Sequence, residues 1–176
     1  MATRSINNSD SMIQVNSNSK SEVKKITLEE RELLKDFLIH TTPHQFEHIV
    51  KDLLIAMGFK SVEVTSRTND KGVDIIGTNQ NGIEVIQVKR NTSSKIARPV
   101  LDGLRGCLHR FNALQGTVIT LSDFTKGARD AKIEKGAAPL NLINGEELIN
   151  LLIQYEVGTI KNELVYYTVN KNYFKE

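Results

Sequence analysis

The sequence predicts an α/β fold: one central mixed β-sheet with helices on both of its faces. Two observations lead there. Segments with the 3.6-residue apolar period of core-facing helices interleave with short β-rich runs, and no internal repeat organises them. Two of those runs are joined by Asn79-Gln80-Asn81-Gly82, a hairpin turn. A chain of 176 residues is long enough for a single domain with a real core. Residues 26–157 are expected to form that domain, residues 1–25 a flexible Ser/Asn-rich tail, and residues 158–176 a C-terminal extension.

Taken in order, the polar stretch from Met1 to Lys25 buries too little apolar surface to offset its ordering entropy. Order is expected from Thr27, where Thr27-Leu28-Glu29-Glu30 has the form of a capping box. The helix that follows places Leu33, Leu34, Phe37 and Leu38 on one side and ends near His40. A second helix is capped by Thr42, started by Pro43 and closed by Gly58. Its core face is Phe46, Ile49, Val50, Leu53, Leu54 and Met57. A strand over Val62–Thr65 and a polar loop, Ser66 to Gly72, lead to the hairpin strands Val73–Gly77 and Ile83–Arg90. Pro99 opens a helix with Leu101, Leu104, Leu108 and Phe111 inward. Gly103 and Gly106 inside it each cost about 1 kcal/mol, which suggests close packing or close approach of a ligand. A strand at Thr117–Leu121, a helix at Phe124–Lys135, a strand at Leu140–Ile143 and a helix at Glu146–Gln154 complete the pattern. Asn144 and Glu147 cap that last helix. Tyr166, Tyr167, Tyr173 and Phe174 mark the extension as an added edge strand or a contact to a second subunit.

Composition narrows the function classes. Hydrophobic residues make up 39% and charged residues 25% of the chain, as in globular domains. No apolar run approaches the roughly 20 residues that span a bilayer, so no membrane role is expected, and the N-terminus lacks the apolar centre of a secretory signal. A single cysteine, Cys107, excludes an internal disulfide or a thiolate metal cage and fits a reducing, cytoplasmic setting. It reads as a small core residue. Net charge is only +2, yet Gln87 to Arg110 holds six cations (Lys89, Arg90, Lys95, Arg98, Arg105, Arg110) against Asp102 alone, six minus one giving +5. An anionic partner such as a phosphate backbone would meet that stretch; a solvated helix face is the plain alternative.

The chemistry concentrates in the hairpin. Alternation along its second strand puts Ile83, Val85, Gln87 and Lys89 on one face and Glu84, Ile86, Val88 and Arg90 on the other. Polar Gln87 and Lys89 beside apolar Ile83 and Val85 need partners or a job. The hairpin brings Asp74 to that same end. An acid, an amide oxygen and a lysine then converge, with the Val88 carbonyl in reach, and such hard oxygen donors suit Mg²⁺. Taken singly, Asp74 reads as a loop-edge cap, Gln87 and Lys89 as a polar pair on an edge strand, and Glu47 as a solvated helix residue. His44 and His48 have a one-turn spacing that can bind zinc, but no third ligand accompanies them, so they read as surface histidines.

The pieces Phe46-Glu47, Met57-Gly58-Phe59, Val62-Glu63-Val64-Thr65, Asp70-Lys71-Gly72-Val73-Asp74 and Gln87-Val88-Lys89-Arg90 stand in a set order. Arg98-Pro99, Phe124-Thr125 with Ala128, and Leu142-Ile143-Asn144-Gly145-Glu146-Glu147-Leu148 follow. Together they resemble the PD-(D/E)xK nucleases, and within them the Mrr-type restriction endonuclease catalytic domain, from about Pro43 to Val157. The resemblance implies a restriction-endonuclease-like fold and a Mg²⁺-dependent enzyme, with Mn²⁺ able to substitute, that hydrolyses phosphodiester bonds of double-stranded DNA in a restriction or defence system. Asp74 would be the metal carboxylate, Gln87 and the Val88 carbonyl further ligands, and Glu47 a ligand directly or through water. Lys89 would position or activate the attacking water. Lys71, Arg90, Lys95, Arg98 and Arg105 are the candidates for contacts to the DNA backbone.

Two departures stand out. Val73 occupies the place of the motif's proline. Gln87 replaces an acid, which lowers the ligand charge by one and is a character of the Mrr-type subset. With a polar N-terminus and 18 residues from Thr159, the winged-helix DNA reader of full-length methyl-directed members is not expected within these 176 residues. Cutting both strands calls for two active sites, so a homodimer or a partner subunit is expected. The competing readings are a Holliday-junction-resolving or repair nuclease and a non-catalytic DNA-binding subunit on the same scaffold.

Overall fold

A computed structural model describes residues 26–65, 72–162, 169–170 and 172–173. The tail 1–25, the loop residues Asp70 and Lys71, and Tyr166, Tyr167 and Phe174 lie outside the described residues. The chain runs α1 (Leu28–His40), α2 (Pro43–Ala56), β1 (Ser61–Val64), β2 (Ile75–Asn79), β3 (Gly82–Lys89), α3 (Arg98–Cys107), a 3₁₀ turn (Leu108–Phe111), β4 (Gln115–Thr120), α4 (Lys126–Ala131), β5 (Leu140–Ile143) and α5 (Gly145–Gln154).

The sheet is mixed, in the order β1-β2-β3-β4-β5. The first two pairings are antiparallel and the last two parallel, so β3 is the middle strand, with Ile75↔Ile86 on one side and Lys89↔Thr120 on the other. Helices α1, α2 and α5 cover one face, where Phe46, Val50 and Leu53 pack with Ile86, Val88, Ile119 and Leu148. Helices α3 and α4 cover the other, where Leu101, Leu104 and Ala128 pack with Val85, Val118 and Leu140. This is the predicted architecture. Among the described residues, no helix is long and apolar enough to cross a membrane.

The caps do what their residue types dictate. Thr42 and Gln45 close a reciprocal capping box on α2, and Asn144 and Glu147 close one on α5. At the start of α1 Thr27 accepts from the Glu30 N–H, one half of the expected box. Cys107 is a buried core residue, as read. At Gly145 the helix start runs so close to β4 that any Cβ would overlap the Leu121 carbonyl, so only glycine fits.

Several elements differ from expectation. Helix α4 starts after Phe124, because that residue bridges Ile96 in parallel fashion and Thr125 takes the cap, accepting from Ala128 N–H. Strand β2 starts at Ile75, two residues later than predicted. Gly103 and Gly106 are exposed, and a Cβ built on either meets nothing within 4 Å, so close packing is not their reason. On α1 only Leu38 is buried; Leu33 and Phe37, expected to face inward, are 47% and 64% exposed. Alternation of β3 between two cores also overturns the edge-strand reading of Gln87 and Lys89: they sit on the central strand.

Glu84 is a buried acid that alternation placed on a face without foreseeing its partners. It is 4% exposed, and its carboxylate accepts from Asn79 Nδ2 at 2.8 Å, Gln115 Nε2 at 2.5 Å and the Thr117 hydroxyl. Three donors from the strands on either side of β3 thus offset its desolvation. Glu84→Ala strands all three and is expected to cost roughly 2–3 kcal/mol. Urea unfolding followed by circular dichroism measures this, and an unchanged midpoint would show the network contributes nothing.

Candidate active site

The sheet's middle strand and the entry to β2 build the site. Val73 packs in the α3/α4 core while Ile75 packs in the α1/α2/α5 core. A regular strand would put both on one face, so the backbone turns over between them, and Asp74 stands at that turn. Its N–H donates to the Ile86 carbonyl at 2.9 Å, and its Oδ2 accepts from the Val88 N–H at 2.6 Å. The carboxylate therefore lies over the peptide that joins Gln87 to Val88. Edge strand β1 braces this turn: the Thr65 N–H donates to the Asp74 carbonyl at 2.9 Å, and the Thr65 hydroxyl to the Val73 carbonyl at 2.6 Å. Thr65 is a supporting residue that sequence patterning left as an ordinary strand end.

Gln87 is 8% exposed on the central strand, on the side of Val85. Its amide lies against the chain entering β2, since a Cβ placed on Gly72 would stand 3.5 Å from Nε2; Gly72 has φ +89°, which also favours glycine. Lys89 is half-buried at the last position of β3, its carbonyl accepting from the Leu121 N–H at 3.4 Å and its register partner being the fully buried Thr120. The structure thus brings Asp74, Gln87 and Val88 together and ends the strand on Lys89. The contact it gives Val88 is through the N–H.

Glu47 is half-buried on α2, between Phe46 and Val50, which pack with Ile86 and Val88. It rises from the helix that covers this strand on the face opposite Gln87. His44 and His48 are exposed, with ring centroids 4.5 Å apart, and among the described residues no group of three or more His, Cys, Asp or Glu is placed to hold a metal. Asp74 and the Gln87 amide offer hard oxygens of the kind Mg²⁺ takes with waters completing its shell, whereas Glu47 belongs to the helix on the other face of the sheet.

The cations divide. Arg90 donates to the Ile39 carbonyl at the end of α1 at 2.6 Å. Lys95 lies 3.2 Å from Asp123, which Arg129 also pairs. The Phe124 N–H, and after it Lys95 and Arg129, hold the Asp123 carboxyl below its ordinary pKa. Arg98 reaches Asp102 at 3.1 Å and Glu134 at 3.1 Å. Arg105 is 12% exposed and donates to the carbonyls of Ala138 at 3.1 Å, Lys132 at 3.4 Å and Ala131. Counting charge along Gln87–Arg110 misses Asp123 and Glu134, which the fold brings in from later in the chain.

With this geometry in place, the restriction endonuclease family model Mrr_cat matches residues 38–152, well over half of the chain. The chain belongs to that family. As an Mrr-type chain it is 31% identical over 144 residues to the type IV methyl-directed restriction enzyme EcoKMrr of Escherichia coli (strain K12), covering 78% of this chain. It spans 47% of that enzyme's length. Among solved structures, the Mrr-type fold is shared with the DNA modification-dependent restriction endonuclease AspBHI (TM-score 0.58, 16% identity, 84% of this chain and 41% of that one). It is shared likewise with the MspJI restriction endonuclease, solved with a 27-mer oligonucleotide (TM-score 0.54, 16% identity, 82% and 36%).

Proposed function

We propose that this chain is a Mg²⁺-dependent endonuclease that hydrolyses phosphodiester bonds of double-stranded DNA, working in the cytoplasm as part of a restriction or defence system. The observation that supports it most is the Asp74 carboxylate fastened to the Val88 N–H beside buried Gln87, in a strand that ends on Lys89, within a chain of this family. The names of the relatives point the same way, two being modification- or methyl-directed restriction enzymes and one a nuclease bound to an oligonucleotide.

Asp74, the Gln87 amide oxygen and the Val88 carbonyl would hold the metal, with Glu47 directly or through a water. When bound, Mg²⁺ lowers the pKa of a coordinated water and stabilises charge developing on the phosphate. The chain's own contribution is placement. The Val88 N–H orients Asp74, and the rigid central strand sets the interval from Gln87 to Lys89. The Lys89 ammonium orients the attacking water and offsets the growing phosphate charge. Lys71, Arg90 and Lys95 are assigned to the DNA backbone. Arg98 and Arg105, whose charges meet Asp102 and Glu134, tie α3 to the segment after α4.

Supercoiled plasmid, methylated and unmethylated, is the substrate that tests this. Nicking or linearisation is expected with Mg²⁺ or Mn²⁺ and is expected to vanish with EDTA. A four-way junction cut far better than linear duplex would move the assignment to a resolvase. Intact plasmid under every metal condition would leave only a DNA-binding role.

A further inference from the structure

The carbonyls of two successive residues, Val73 and Asp74, both accept from Thr65. Its N–H reaches the Asp74 carbonyl at 2.9 Å. Its hydroxyl lies 2.6 Å from the Val73 carbonyl and 3.3 Å from that of Asp74. In a regular strand successive carbonyls point to opposite edges, so a single neighbouring residue meets only one of them. The peptide between Val73 and Asp74 is therefore turned, a local break of the kind that re-aims a side chain. Here the re-aimed group is the Asp74 carboxylate, which accepts from the Val88 N–H at 2.6 Å. Main-chain donors cannot hold this turn by themselves. Thr65 has one N–H, spent on Asp74, so the Val73 carbonyl depends on a short side-chain donor. Val73 is 0% exposed, so water cannot take the place of that hydroxyl.

We propose that Thr65 is a positioning residue for DNA cleavage. Its hydroxyl keeps the Val73 carbonyl turned toward β1, and this aims the Asp74 carboxylate at the central strand beside Gln87. The part in cleavage rests on the nuclease reading; the aiming of Asp74 does not. Only serine and threonine combine a donor with the short reach required, and threonine adds the β-branched shape that suits a strand end.

The test compares the full chain as wild type, Thr65→Val, Thr65→Ala and Thr65→Ser. Amide hydrogen exchange is read by NMR without metal or DNA, and plasmid cleavage is read with Mg²⁺. Valine and alanine both remove the hydroxyl, so either one serves if the other folds poorly. In each the Val88 amide is expected to exchange at least about tenfold faster than in wild type, while Ile119 on β4 keeps its rate. Cleavage is expected to fall about tenfold or more, as when hydrogen bonds behind a metal ligand are removed. Thr65→Ser is expected to bring both back to within about threefold of wild type. Glu84→Ala, destabilised at the other end of β3, is expected to keep the wild-type ratio of Val88 to Ile119 exchange. Unchanged Val88 exchange without the hydroxyl overturns the positioning role. So does a rise shared equally by Ile119, which marks a general loss of stability. Faster Val88 exchange beside wild-type cleavage removes Thr65 from the reaction. A wild type that cuts no DNA overturns the nuclease reading, whereas exchange in the metal-free chain still decides whether Thr65 aims Asp74.

Discussion

Asp74→Asn is expected to lower Mg²⁺-dependent plasmid cleavage by about 10³-fold or more while leaving the fold intact. The size follows from the proposed role: if Asp74 and Gln87 hold the metal, asparagine removes the one ligand charge that pair supplies, and metal-assisted stabilisation of a phosphate transition state is worth several kcal/mol. Asparagine is the informative substitution because its amide oxygen can still accept from the Val88 N–H, which Asp74 Oδ2 does at 2.6 Å. Asp74→Ala would confuse the two effects, since a partly buried N–H left without an acceptor costs about 1–3 kcal/mol. Cleavage is followed by gel, and folding by thermal melting of both variants beside wild type. Cleavage by Asp74→Asn within tenfold of wild type would remove Asp74 from the metal site.

How far this site was legible depends on the range of the interactions that make it. The period-2 pattern of Ile83–Arg90 placed Gln87 and Lys89 on one face, and the Asn-Gly turn brought Asp74 to their end, because both signals act over a few residues. The caps at Thr42 and Asn144 were legible for the same reason. Beyond reach was the turnover of the chain between Val73 and Ile75, which depends on two separate cores pulling on neighbouring residues. Thr65 as a brace escaped notice because its partners lie eight and nine residues away across a loop. Glu84 drew its donors from two other strands, and Arg105 was spent on carbonyls 26 to 33 residues downstream. Leu33 and Phe37 failed for another reason. Periodicity shows that a helix has an apolar side, but not whether its own domain or another molecule covers that side.

Lys89→Met carries the second large effect. Methionine keeps most of the aliphatic length beside Thr120 and the backbone bond from Leu121, so the end of β3 is expected to hold its place. What it removes is the ammonium. If that group orients the attacking water and offsets phosphate charge, single-turnover cleavage should fall by about 10²–10³-fold. DNA affinity measured with Ca²⁺ in place of Mg²⁺ should change by less than about threefold, since one phosphate contact among many contributes little to binding. That pairing of a large loss in rate with a small loss in affinity separates chemistry from simple attraction. Lys89→Arg sharpens the comparison: the charge is kept, but the planar, wider guanidinium cannot place a single donor where the ammonium stood. It should recover binding fully and rate only in part. Equal losses of affinity and rate in Lys89→Met would instead make Lys89 one more cation on the DNA backbone, and the water would need another residue to orient it.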